Sequence, residues 1–282
     1  MKRIFLKSLS IFLILSLALS IFALSAEDTH AAAKPKYIAH RGWSSIAPEN
    51  TLPAFRLAAR NSGFYGVEFD IWESTAEKKV QGADPLLLVM HDENIKRMCG
   101  VNKSIRNITR ANRTKYNIKS GNNIKKYHDV KIPTLKLALN AIWNNSAGAI
   151  PVIELKHRLS AKALNYLFDQ IGDHKVVIIS FEYNAVTDAV KRAKALGVSK
   201  NVKTMYLMSK ISSSNYTSMA KKLKNAGITA VSLKYTYVNK TVVSRFHKYG
   251  VKVCTWTVPN KKTAAKYAKM GVDYITANGK VF

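Results

Sequence analysis

Short apolar runs alternate with amphipathic segments along most of the chain. The runs at residues 37–39, 66–71, 86–91, 150–155, 176–181, 202–207, 229–233, 251–258 and 272–276 are rich in Val, Ile and Leu and read as buried strands. Between them, apolar positions fall at helical period over residues 48–61, 134–143, 161–171, 185–196, 216–225, 240–249 and 261–270. In the first of these, Thr51-Leu52-Pro53 opens the helix, and Leu52, Phe55 and Ala59 share a face. Thr134 is placed to cap the second. Gly197, Gly227, Gly250 and Gly271 stand just past helix ends, where a left-handed residue stops a helix. Repeated strand–helix units of this length predict a parallel α/β sheet. The nine runs make eight units if the arms carrying Glu68 and His91 count as one. That predicts a closed (β/α)8 TIM-type barrel whose second unit has an extra arm. The alternative, an open doubly wound sheet, calls for a glycine-rich phosphate loop after the first strand, and the sequence has none there.

Two segments break the alternation. Residues 1–33 begin with Lys2, Arg3 and Lys7, continue through an apolar stretch at 9–24, and carry small residues at Ala23, Ser25, Ala31 and Ala33. They read as a signal peptide cleaved near residues 25–33, with a retained membrane anchor as the alternative. The product is expected to be secreted or associated with the cell envelope, and its folded domain to be residues 34–282. Within that domain the pattern lapses over about residues 94–131, a basic stretch whose sole carboxylate is Asp129. This is too long for an ordinary connection and predicts an inserted flap or small subdomain beside the site. With only Cys99 and Cys254 present, stability is expected from the core rather than from a disulfide framework.

Charge changes the picture in one respect. The chain carries 45 Lys and Arg against 17 Asp and Glu, a formal net charge of +28. A surface this basic attracts polyanions. An anionic cell envelope or a phosphate-rich wall polymer is the expected partner, and nucleic acid is not. In the insertion, Lys103, Arg106, Arg110 and Arg113 are candidate contacts for such a polymer. General adaptation to an anionic envelope explains the charge equally well.

Scarcity makes the acids informative. Glu49, Glu68, Asp70, Asp92 and Glu154 all fall at or just after predicted strands, where a parallel barrel gathers its chemistry. Glu68 and Asp70 are two apart on one strand and point to one face. With Glu154 from another strand they form an oxygen-rich cluster suited to a hard divalent cation, Ca2+ or Mg2+. His40 and His91 end separate strands and can act as general base and general acid near neutral pH. Asp92 either orients His91 or caps the following turn, and the second role is expected. Arg41 offers a planar fork for phosphate oxygens, and Lys156 adds a point charge two residues beyond Glu154. An ion pair between Arg41 and Glu49 is compatible with this role. A metal, two imidazoles and two cations make a phosphodiester site.

The series His40-Arg41-Gly42, Pro48-Glu49-Asn50-Thr51, Glu68-x-Asp70, His91-Asp92, Pro133-Thr134-Leu135, Glu154-x-Lys156, Ser180-Phe181 and Trp256-Thr257 resembles the glycerophosphodiester phosphodiesterase family. The resemblance covers nearly the whole domain, with the motifs in the family's order. It implies a (β/α)8 barrel, Glu68, Asp70 and Glu154 as ligands to one divalent cation, His40 and His91 as the acid–base pair, and Arg41 and Lys156 on the phosphate. It also implies attack by the substrate's own glycerol hydroxyl, a cyclic phosphate that water then opens, and Trp256 packed against the glycerol or leaving group. The substrate is then a small glycerophosphodiester or an anionic glycerophosphate polymer of the teichoic-acid type. A phospholipase D of the sphingomyelinase type on the same scaffold, and a non-catalytic wall-binding module, are the alternatives. The chain departs from the family pattern at Ile95-Lys96-Arg97-Met98-Cys99, in the charged loop 74–85, and at Ala277-Asn278.

Overall fold

The computed structural model describes residues 34–79 and 81–282, so the expected leader at residues 1–33 lies outside the described residues. The first strand, β1 (Lys36–Ala39), is followed by α1 (Leu52–Ala59), and the long β2 (Phe64–Glu73) by the short β3 (Leu87–Val89). A single helical turn, α2 (Lys96–Cys99), lies in the insertion, and α3 (Leu135–Trp143) resumes the alternation. The remaining pairs are β4 (Ile150–Leu155) with α4 (Ala161–Ile171), β5 (Val176–Ser180) with α5 (Tyr183–Ala195), and β6 (Val202–Met208) with α6 (Tyr216–Asn225). Then come β7 (Ala230–Lys234) with α7 (Lys240–Lys248), β8 (Lys252–Trp256) with α8 (Lys261–Lys269), and the closing strand β9 (Tyr274–Ala277).

The strands form one sheet in the order β1-β9-β8-β7-β6-β5-β4-β2-β3, and a further pairing of β1 with β2 closes the ring. Every pair in the ring is parallel, while β3 lies antiparallel on the last residues of β2, with Ile71 opposite Val89 and Glu73 opposite Leu87. The closed eight-stranded barrel and its extra arm are as the sequence predicts. Because each strand is covered on both faces, the strands are apolar almost throughout. Ile38, Val152, Val177, Met205, Ala230, Cys254 and Tyr274 fill the barrel interior. The alternate residues, among them Phe69, Ile153 and Ile178, pack under the helices against Phe55, Leu139 and Phe168.

Two local readings need correction. The first helix begins at Leu52, capped by the Thr51 hydroxyl, and not at residue 48. Asn50 cannot be helical, because its φ is +56° and its side chain is committed to β2. In the insertion, sparse apolar residues make a compact cluster: Ile95, Met98, Cys99, Ile105, Ile108 and Ile118 are buried against Leu86, Leu88 and Met90. No single period runs through them because they come from several short turns. Arg110 and Arg113, candidate polymer contacts, also brace this insertion through Glu77 and the Ile132 carbonyl. Cys99 and Cys254 are both free and buried. Among the described residues no helix is long and apolar enough to cross a membrane.

The chain leaves β1 through a turn that only glycine fits. Gly42 has φ +76° and donates its N–H to the Glu68 carbonyl at 2.9 Å. A Cβ there would lie 2.8 Å from the Ala54 backbone. Gly42→Ala is therefore expected to destabilise the domain by about 1–3 kcal/mol from backbone strain, with the clash added. Urea denaturation measures this, and an unchanged midpoint would show that the turn relaxes at no cost.

Candidate active site

The predicted residues meet at the carboxyl ends of the barrel strands. Parallel register sets Asp70 on β2 beside Glu154 on β4, and neighbouring strands lie about 4.8 Å apart. Glu68, one pleat earlier, projects to the same face. The three carboxylates each place an oxygen within 4.8 Å of the others, although Glu68 is only 2% exposed, Asp70 1% and Glu154 8%. Such crowding needs donors and positive charge around it. The Arg41 N–H donates to Glu68 at 2.7 Å, an alignment that goes with a left-handed φ of +56° at Arg41. Asn50 donates its amide to Asp70 at 2.7 Å and accepts the Asp70 N–H at 3.2 Å. Lys156 donates to Glu154 at 2.7 Å and lies 3.4 Å from Asp70, while the Arg41 guanidinium lies 3.6 Å from Asp70 on the other side.

These neighbours divide the three acids. Burial, then the charges of Asp70 and Glu154, push the Glu68 pKa well above its ordinary value. Burial and Asp70 raise Glu154 to about 7. Burial acts on Asp70 in the same sense, but Lys156 and Arg41 outweigh it and hold its pKa below the ordinary value. One oxygen, Glu68 Oε1, is buried with no hydrogen-bond partner among the described residues. A buried carboxylate oxygen with no donor, aimed among other carboxylates, matches a hard cation site.

The two histidines are held differently. His40 Nδ1 lies 2.7 Å from Asn278 Oδ1. An amide oxygen only accepts, so Nδ1 carries the proton and Nε2 keeps its lone pair. Burial, then the Arg41 charge, lowers the His40 pKa to about 4. His91 Nδ1 instead faces a carboxylate, Asp92 Oδ1, at 2.6 Å. Asp92 thus orients His91 rather than capping the following turn. Arg97 ties this half of the site together, reaching Asp92 at 2.5 Å and Glu49 at 2.7 Å, and Glu49 in turn pairs with Arg41 at 3.0 Å.

The cavity between these groups is lined by His40, Arg41, Glu68, His91 and Glu154 on its polar side, and by Ile179, Phe181, Leu207 and Trp256 on its apolar side. Trp256 is pinned by its Nε1–H to the Ser232 carbonyl at 3.1 Å and meets Phe181 edge to face. Asp70, Lys156 and Glu49 do not line this cavity but pair with residues that do. Sequence reasoning gave no role to Asn50, Arg97 or Asn278, yet each bonds directly to a predicted site residue. The signals were available: Asn50 sits inside a quoted motif, and Arg97 and Asn278 are positions where the chain departs from the family pattern.

The chain is similar to known proteins over most of its length. Residues 40–278 match the model of the glycerophosphoryl diester phosphodiesterase family. The Bacillus subtilis protein YhdW is 27% identical over 247 residues, covering 86% of this chain and 93% of that one. A glycerophosphodiester phosphodiesterase of Caldanaerobacter subterraneus is 28% identical over 254 residues, covering 86% of this chain and 93% of that one. A solved Oleispira antarctica phosphodiesterase, in complex with its product sn-glycerol-3-phosphate, shares the fold, with a TM-score of 0.71 at 24% identity over 87% of this chain and 93% of that one.

The Asn278 contact makes a directional forecast. Asn278→Asp places a negative charge beside His40 and favours its protonated form, so the His40 pKa should rise from about 4. If neutral His40 is the active form, the acid limb of the pH–rate profile moves to higher pH. A profile whose acid limb stays in place in the variant would separate His40 from the rate-determining protonation.

Proposed function

Because this chain belongs to the glycerophosphoryl diester phosphodiesterase family and hydrolyses glycerophosphodiesters, we propose that it does so with one divalent cation, Ca2+ or Mg2+, held by Glu68, Asp70 and Glu154. The carrying observation is the buried carboxylate trio with its unpartnered Glu68 oxygen. When bound, the cation supplies positive charge against the phosphate oxygens as negative charge develops on them. Everything else is done by this chain's own side chains. The Arg41 guanidinium faces the cavity, steered by Glu49, and takes phosphate oxygens as a fork. Lys156 adds charge from behind Glu154.

The two imidazoles divide the proton transfers. His40, neutral with Nε2 unprotonated, is the base that takes the proton from the substrate's glycerol hydroxyl as that oxygen attacks phosphorus. His91, oriented by the Asp92 carboxylate, gives a proton to the departing alcohol oxygen. The cyclic phosphate so formed is opened by water with the two roles exchanged, which leaves glycerol phosphate and an alcohol. Trp256 and Phe181 form the apolar wall against which the carbon skeleton packs. We place the enzyme outside the cytoplasm, exported through residues 1–33, where its net charge of +28 suits an anionic envelope and an extended glycerophosphate polymer as substrate.

Two measurements test these assignments. Chelation is expected to abolish product formation from glycerophosphodiesters, with Ca2+ or Mg2+ restoring it in the parent but not in Glu68→Gln or Glu154→Gln; full activity of both variants at limiting metal would refute the ligand set. His40→Ala and His91→Ala are each expected to lower the rate by about 10²–10⁴. Near-parent rates across the whole pH range in either variant would remove that residue from the chemistry.

A further inference from the structure

Outside the active site, unpartnered polar atoms gather in one other place. Arg106 Nε, Arg192 Nε and both ring nitrogens of His157 are buried without a hydrogen-bond partner among the described residues. All three side chains line the same cleft of about 670 Å³, a size usual for small-molecule sites. They come from three separate elements: Arg106 from the insertion, His157 from the loop after β4, and Arg192 from α5. An arginine Nε–H can only donate, and leaving such a donor buried and unmatched is costly. Unpartnered donors from three elements that line one cleft suit an anion.

The charges agree. The cleft's two acids are already matched: Glu73 pairs with Lys78 at 2.8 Å and accepts the Ser160 N–H at 2.9 Å, and Asp188 pairs with Arg158 at 2.6 Å. Arg106, Lys191 and Arg192 have no ion-pair partner among the described residues. The cleft therefore keeps an excess of positive charge after its internal pairs are counted. Its position is equally informative. His157 directly follows Lys156, and its ring stacks on Trp72, whose indole N–H reaches the His91 carbonyl at 3.4 Å. His157 thus joins one wall of the cleft to the active-site side of the barrel through Trp72.

We propose that this cleft binds a second phosphate group, that of a neighbouring repeat in an extended glycerophosphate substrate whose scissile diester occupies the active site. The proposal rests on the phosphodiesterase reading for its substrate but not for its anion chemistry. Arg106 and Arg192 supply the charged donors, His157 one further N–H, and Lys191 exposed charge at the edge. A single-phosphate diester reaches only the main site and gains nothing from the cleft.

Calorimetric titration of the metal-loaded protein with inorganic phosphate reads the cleft directly. The parent is expected to bind at two sites, the Arg106→Gln/Arg192→Gln double variant at one, and the exposed Lys191→Gln variant, which carries little risk to folding, at two with the second weakened. Thermal melting confirms that each variant is folded. Steady-state kinetics supply the second arm: the double variant is expected to raise KM for a glycerophosphate oligomer by about tenfold and to leave kcat and KM for a single-phosphate diester unchanged. Phosphate stoichiometry and affinity equal to the parent's in both variants would overturn the site. Loss of the second phosphate with an unchanged oligomer KM would assign the cleft to free phosphate and overturn the polymer assignment. If the parent fails to turn over the oligomer, the polymer reading of the main site falls, and calorimetry still decides the cleft.

Discussion

Three carboxylates held within 4.8 Å of one another in a buried strand rim are the constraint from which the rest of this molecule follows. At an effective dielectric of about 20, two unit charges some 5 Å apart repel by roughly 3 kcal/mol, so three together rival the whole net stability of a domain. The surroundings answer that repulsion atom by atom. Arg41 and Asn50 both adopt left-handed backbone conformations, one delivering an N–H to Glu68 and the other an amide to Asp70. Lys156 and the Arg41 guanidinium flank Asp70 from opposite sides. What these donors leave uncovered is an oxygen-lined gap that favours a hard divalent cation.

The barrel makes this arrangement possible in a way that a looser scaffold does not. Parallel register puts Asp70 and Glu154 side by side, and the closed ring presents every strand end at one rim. β2 overruns the ring and pairs with β3, and the chain leaving β3 carries His91 back over the rim. The insertion then packs its own apolar cluster on that arm, and Arg97 from its first turn reaches both Asp92 and Glu49. The polar network around His91 is therefore anchored in a segment that lies outside the barrel proper.

The two imidazoles of the pocket sit in different surroundings. His40 faces a neutral amide, and burial together with the nearby Arg41 guanidinium outweighs that hydrogen bond and favours its neutral form. His91 faces a carboxylate, that of Asp92, at 2.6 Å. The difference comes from the residues behind the rings, Asn278 and Asp92, and not from the rings themselves.

Much of this was legible along the chain. Alternating apolar runs and helical periods determine a closed α/β barrel, because a strand buried on both faces must be apolar throughout and a helix that covers it must be amphipathic. The acids and histidines at strand ends were legible for a related reason: they interrupt apolar patterns that otherwise have no cause to stop on charge. Asn50, Arg97 and Asn278 could not be weighed in the same way. Asn278 lies 238 positions from its partner His40, and Arg97 lies 48 from Glu49, so no local period marks them. The apolar cluster of the insertion and the cationic cleft were hidden likewise, since each is assembled from separate turns. Local periodicity encodes which face of an element is buried; which side chains meet across the rim is set only when the ring closes and brings strand ends distant in sequence to within hydrogen-bond reach.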